Sequence, residues 1–99
     1  MTPKPKGLAD LDRLELVFAA LAHPTRRRIL TVLRARGGEL TSGDLAERFD
    51  CAWPTTSRHL RVLVEAGLVT VTRDGRQRRY RLEGQVLDEV VGNWIDRFR

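Results

Sequence analysis

The stretch that most restricts what this chain can fold into runs from Asp50 to Val69, DCAWPTTSRHLRVLVEAGLV. Pro54 suits the first turn of a helix, where its missing N–H would be unbonded in any case. Gly67, directly after Ala66, is a helix stop, and about three to four turns fit between the two signals. Thr55, Thr56, Ser57, Arg58 and His59 fill the front half with small and basic polar groups. Leu60, Leu63 and Val64 form an apolar stripe behind them. Such a helix can be anchored by its rear and present its front. DNA's major groove admits a helix, and these side chains match what it displays. Arginine pairs with guanine O6 and N7, serine and threonine bond bases or phosphates, and a threonine methyl touches a thymine methyl.

The placement of charge points the same way. The chain has a net charge of +5 over 99 residues. Between positions 53 and 81, Arg58, Arg61, Arg73, Arg76, Arg78, Arg79 and Arg81 face only Glu65 and Asp74, so this third of the chain holds the whole surplus. A basic field of that density favours a polyanion, and a solvated arginine-rich face is the blander alternative. The length makes one domain, and 41% apolar residues give a real but small core. No apolar run approaches the ~20 residues of a membrane span. The N-terminus MTPKPKGLAD lacks the apolar segment of a signal peptide. A single cysteine excludes an internal disulfide framework, so a reducing, cytoplasmic setting is expected.

Residues 1–9, with two prolines and two lysines, are expected as a flexible tail, and 10–99 as one domain. Asp10 or Asp12 is positioned to cap a first helix near Leu11 to Ala22, where Leu11, Leu14, Val17, Phe18 and Leu21 follow the helical period. His23-Pro24 breaks the chain, and His23 is expected as a cap or turn residue. A second helix runs to about Arg36 with Ile29, Leu30 and Leu33 inward. Arg26, Arg27 and Arg28 crowd its first turns, where positive charge opposes the helix dipole. They serve either solvent or a partner such as DNA phosphates. After Gly37-Gly38 comes a short extended piece, Glu39 to Thr41. Thr41 or Ser42 then caps a third helix to Phe49, with Leu45, Ala46 and Phe49 inward and Asp44 at capping-box spacing from Thr41.

Beyond the fourth helix, Leu68 to Thr72 alternates as a strand, Asp74-Gly75 signals a hairpin, and Gln77 to Leu82 returns as its partner. This hairpin, arginine-rich at and beyond its tip, reads as a wing. Glu83 to Arg99 forms the last helix, with an apolar stripe of Leu87, Val90, Val91, Trp94, Ile95 and Phe98. A small domain cannot easily bury both this stripe and that of the first helix. Leu11, Leu14, Phe18 and the last-helix stripe are therefore expected to meet a second copy about a two-fold axis. The fold class is mainly α with a small β-hairpin, a winged helix-turn-helix in the order α-α-α-α-β-β-α.

Four stretches carry a family resemblance: LAHPTRRRIL at Leu21 to Leu30, LTSGDLAERF at Leu40 to Phe49, WPTTSRHLRVLVEAGLV at Trp53 to Val69, and RDGRQRRYRL at Arg73 to Leu82. With the order of elements, they resemble the ArsR/SmtB family of bacterial winged-helix repressors. The resemblance covers nearly all of Leu11 to Phe98, and the S-R-H-L-x-V-L-x-x-A-G-L-V run is specific. It implies a homodimer paired through its first and last helices that blocks transcription at a palindromic double-stranded operator. It also implies that Trp53, Thr55, Thr56, Ser57, Arg58 and His59 stand where the family reads the major groove, with Arg61 added to that face. By the same resemblance Thr41 and Ser42 stand at phosphate contacts, and Arg76 and Arg78 lie in the wing. Ala52 departs from the family, which often has a serine there that can cap the helix. Thr56 stands where valine is common, so packing competes with contact.

Metal-responsive members carry paired cysteines before the recognition helix or ligands on the last helix. Here the ingredients are Cys51, His23, His59 and scattered carboxylates, short of a zinc or arsenic site, so neither a metal nor another cofactor is expected. Cys51 reads as a small buried hydrophobe, with a redox switch as the alternative. Trp53 is divided between a backbone contact with DNA and packing on the third helix. No nucleophile triad and no phosphate-binding loop appear, and Ser57 and His59 point to different sides of their helix. No enzyme is expected. A protein-interaction module is the competing function, and a small molecule, a protein partner, redox at Cys51 or no ligand at all are the open signals.

Overall fold

The computed structural model describes the backbone of residues 6–99 and the side chains of residues 10–99. Helix α1 (Lys6–Leu21) leads to α2 (Pro24–Ala35), strand β1 (Glu39–Thr41), α3 (Ser42–Arg48), α4 (Trp53–Glu65), strands β2 (Val69–Asp74) and β3 (Gln77–Leu82), and α5 (Gly84–Asp96). This is the expected winged helix-turn-helix with one addition. Glu39–Thr41 is a strand that pairs antiparallel with β3, so the sheet has three strands in the order β1-β3-β2. Asp10 and Asp12 lie inside α1 and do not cap it. Of the tail expected at 1–9, residues 1–5 lie outside the described residues and the remainder already belongs to the helix.

Local chemistry sets the boundaries. The His23 Nδ1 accepts the Thr25 N–H at 3.1 Å, capping α2 one residue before Pro24. The Thr41 hydroxyl accepts the Asp44 N–H at 3.1 Å while the Asp44 carboxylate accepts the Thr41 N–H at 3.3 Å, a complete capping box. Hydrogen bonding from the Thr41 side chain and then from its backbone N–H holds the Asp44 carboxyl below its ordinary value. Ala52 caps α4 without any side-chain bond, as its missing oxygen dictates. Helix α4 closes on Gly67, whose φ of 78° is left-handed. The Leu68 N–H bonds the Leu63 carbonyl and the Gly67 N–H bonds that of Val64, both at 3.0 Å, with Leu63 and Leu68 buried together. At the wing tip Asp74 pairs with Gln77, so the two-residue loop is Gly75-Arg76, and Gly75 takes φ 62° at the first loop position, as a type II′ turn requires.

The fully buried core draws on every element except α5, whose Val86, Leu87, Val90 and Val91 pack against it half-buried. Val17 and Ala20 of α1, Ile29 and Leu33 of α2, Leu40 of β1, Leu45 and Phe49 of the α3 segment, Leu60 and Leu63 of α4, and Leu68, Val69 and Tyr80 of the sheet form one cluster. Each large side chain buried there contributes about 1.5–3 kcal/mol relative to exposure. Ala46, expected to face inward, is exposed, because the buried phase of α3 runs Leu45 to Phe49 at i, i+4. Helix α5 packs on α1 but contributes no fully buried residue. No helix among the described residues is long and apolar enough to cross a membrane.

Two arginines of the α2 run, Arg26 and Arg27, serve α1. The Arg26 guanidinium donates to the Ala20 carbonyl at 2.7 Å and the Ala19 carbonyl at 3.0 Å, and Arg27 donates to the Leu21 carbonyl at 2.7 Å. These are carbonyls of the last turn of α1, of which that of Ala19 also takes the Ala22 N–H at 3.3 Å, and they lie at the end of a helix dipole that favours a cation. A placement unfavourable for α2 is favourable for its neighbour.

Candidate nucleic-acid interface

Helix α4 is held by Thr56, Leu60 and Leu63, all fully buried at i, i+4 and i+7. That anchoring turns Thr55, Arg58 and Arg61 to solvent, with Ser57 half-buried at the margin. The exposed face therefore offers a hydroxyl with a methyl group and two guanidinium groups without a partner among the described residues, the donor set that reads guanine edges and phosphates. Thr56 is not part of it. Its side chain is 0% exposed, and its hydroxyl finds no hydrogen-bond partner among the described residues. The position belongs to the core, where the valine common among relatives would leave no unsatisfied hydroxyl. Trp53 is half-buried and packs against the core cluster, which favours packing over a free stacking surface.

His59 also turns inward. Its Nδ1 lies 3.3 Å from the Arg26 guanidinium, and its ring sits 4.3 Å from that of His23, tilted by 46°. A guanidinium can only donate, so this contact is a hydrogen bond in the tautomer whose Nδ1 carries no proton. Burial lowers the pKa of this imidazole from its ordinary value, and the neighbouring His23, Arg26 and Arg58 lower it further.

The wing stands beside the start of α3. The Gln77 side chain accepts the Gly43 N–H at 3.3 Å, and the Ser42 hydroxyl accepts the Arg78 N–H at 3.3 Å. Thr41 is committed to its capping box, next to a carboxylate that repels phosphate, whereas Ser42 retains its hydroxyl proton for donation. Arg76 and Arg78 are exposed, and Arg78 lies directly opposite Arg73 across the hairpin. Like charges in register are unfavourable unless something else compensates. Arg73, absent from the expected contact set, is exposed beside them, and the strand register places it there. Arg79 is different. It bonds the Asp74 carboxylate at 2.8 Å and approaches Glu39 at 3.7 Å, and the Asp74 bond holds it more firmly protonated.

On another side of the molecule, α1 and α5 leave an apolar surface. Phe18 meets Trp94 edge-on at 5.5 Å, and Trp94 meets Phe98 at 5.0 Å. Phe98 is nonetheless 73% exposed, and Leu11, Leu16 and Ile95 are exposed too. Leu87, Val90, Val91 and Trp94 are half-buried. Leu14 is corrected: at 2% exposure it lies inside the protomer, on the Val17 side of α1, and cannot form a seam. Cys51, expected as a buried hydrophobe, is exposed in the turn ahead of α4. Among the described residues no three His, Cys, Asp or Glu side chains gather closely enough to hold a metal ion.

Comparison with known proteins agrees with this geometry. A family model described as a helix-turn-helix domain matches residues 21–72. The transcriptional repressor SdpR of Bacillus subtilis is 40% identical over 82 residues, which is 83% of this chain and 88% of that protein. The crystal structure of an ArsR family transcriptional regulator superposes with a TM-score of 0.78 at 31% identity, covering 98% of this chain and 91% of the other. A homodimeric winged helix-turn-helix DNA-binding domain from Mycobacterium bovis, a possible ArsR-family regulator, superposes with a TM-score of 0.75 at 27% identity, covering 96% and 87%. By its helix-turn-helix, its wing and these relatives, the chain belongs to the ArsR/SmtB family of transcriptional regulators.

Proposed function

We propose that the protein is a homodimeric repressor that recognises a palindromic DNA operator, with Thr55, Ser57, Arg58 and Arg61 of α4 in the major groove. Arg73, Arg76 and Arg78 of the wing hold the flanking backbone, and Ser42 adds a phosphate contact. The observation that carries this reading is the pairing of an α4 face with two free guanidinium groups and a wing that tolerates Arg73 opposite Arg78. The two-fold partner sits on Leu11, Phe18, Leu87, Val90, Val91, Trp94, Ile95 and Phe98, the apolar surface that one protomer leaves open. The homodimeric Mycobacterium bovis domain supports that assembly. A genome-bound role places the protein in the cytoplasm.

Selection from a random duplex library tests the reading. The expected winner is a palindrome with half-sites about one helical turn apart. Its affinity falls by about a thousandfold or more between 50 and 200 mM salt if six or more phosphates are neutralised. Arg58→Ala is expected to weaken operator binding by about 1–3 kcal/mol and relax preference at one base pair. Enrichment of no sequence would overturn the repressor reading and turn the basic face toward a protein partner. Because Cys51 is exposed, the titration is repeated with oxidant and with zinc. Release by oxidant alone identifies a thiol signal, and indifference to both leaves a small molecule or a protein as effector.

A further inference from the structure

The recognition helix is tied to the end of α1 through one side chain. Arg26 reaches three acceptors at once: the Ala20 carbonyl at 2.7 Å, the Ala19 carbonyl at 3.0 Å and the Nδ1 of His59 at 3.3 Å. Two of these belong to the helix that carries the apolar α1 surface, and the third belongs to α4. The His59 ring packs against that of His23, whose own Nδ1 accepts the Thr25 N–H. The His59 Nδ1 can accept from Arg26 only while it carries no proton.

We propose that His59 is a positioning residue which, as a neutral imidazole accepting from Arg26, fixes the aim of the α4 reading face relative to α1. The proposal rests on the operator-reading role above and gives His59 a duty other than contact with DNA. Protonation removes the acceptor that Arg26 needs and adds a cation among cations. The charged or titratable groups that face the ring are His23 ahead of α2, Arg26 on α2 and Arg58 on α4, all basic, while α1 contributes only carbonyls that Arg26 already occupies. The sign follows. Because the folded environment lowers the affinity of the ring for a proton, the arrangement is complete above the ordinary imidazole value near 6.5 and weakens as pH falls below it.

A direct phosphate contact has the opposite sign, since a protonated ring would bind DNA more tightly. Affinity for the selected operator and for a scrambled duplex is measured from pH 5.5 to 8 for the wild type, His59→Asn, His59→Ala and Arg26→Ala. Asn places an amide oxygen near the position of Nδ1 and does not titrate. The wild type is expected to lose operator preference on acidification, and His59→Asn to keep it with a flatter profile. His59→Ala and Arg26→Ala each lose about tenfold at pH 8, as for a bond to a charged group, with no further loss in the double variant. In the free protein, ring ¹⁵N spectra are expected to show an Nε2–H tautomer at His59, with proton affinity rising in Arg26→Ala. Tighter operator binding at low pH, or His59→Asn as weak as His59→Ala while both remain folded by circular dichroism, would overturn the proposal. A protein that enriches no duplex at any pH sinks the operator reading alone; the coupling of Arg26 to the imidazole then stands or falls on the ring spectra.

Discussion

Two arginine clusters divide the labour of this molecule. In α2, Arg26 and Arg27 spend their donors on the open carbonyls of α1. In the wing, Arg73, Arg76 and Arg78 are exposed, and Arg73 and Arg78 oppose each other in register. The residue type is the same and the local sequence equally basic, yet one cluster holds the fold and the other is left for a polyanion. The difference shows that charge density alone does not mark a binding surface. What marks it is a guanidinium whose donors no backbone carbonyl or carboxylate has claimed.

The largest test of that division is Arg26→Ala. It removes the guanidinium from the Ala19 and Ala20 carbonyls and leaves His59 without its donor, so unfolding in denaturant is expected to show a loss of about 1–3 kcal/mol. An unchanged midpoint would mean that the α2 arginines are as idle as solvated ones. Arg76→Ala is the converse. Its unfolding curve is expected to stay within about 0.5 kcal/mol of the wild type. Its DNA affinity drops about equally for all sequences, with a log–log salt slope shallower by about one. Arg79→Ala should move least. Arg79 lies in the wing but is paired with Asp74 and Glu39, so the salt slope is expected to be unaltered; a slope as shallow as that of Arg76→Ala would erase the distinction between claimed and free arginines.

The legible parts of the fold were those written in short-range chemistry. His23-Pro24, Thr41 with Asp44, Gly67 and Asp74-Gly75 each placed a boundary because cap and turn preferences act over a few residues. The corrections came from helical phase and from tertiary partners. Thr56 stands four residues before Leu60 and seven before Leu63, a spacing that assigns it to the core and that its polar neighbours masked. Leu14 follows the phase of Val17 and is buried, whereas Leu11 is exposed and Phe18, seven residues on, is half-buried against Trp94. Period alone distinguishes these only when the core side is known. The bonds of Arg26 and Arg27 to α1 were invisible because nothing local pairs an arginine with a carbonyl six or seven residues earlier, across a helix break. The exposed Thr55, Arg58 and Arg61 face was legible because a helix with a polar front and an apolar rear has only one way to pack.

The sheet order carries one more consequence. With β3 in the middle, β2 is an edge, and its Thr70-Val71-Thr72 segment is an exposed row of strong strand formers. An edge of that kind invites another chain to add itself, the first step of aggregation. The segment is followed at once by Arg73 and Asp74 and faces a strand rich in arginine. A second wing sliding alongside would bring cation against cation before many backbone bonds had formed. The charge that suits the wing to a nucleic acid therefore also acts as a gatekeeper, and neutralising it would cost solubility as well as affinity.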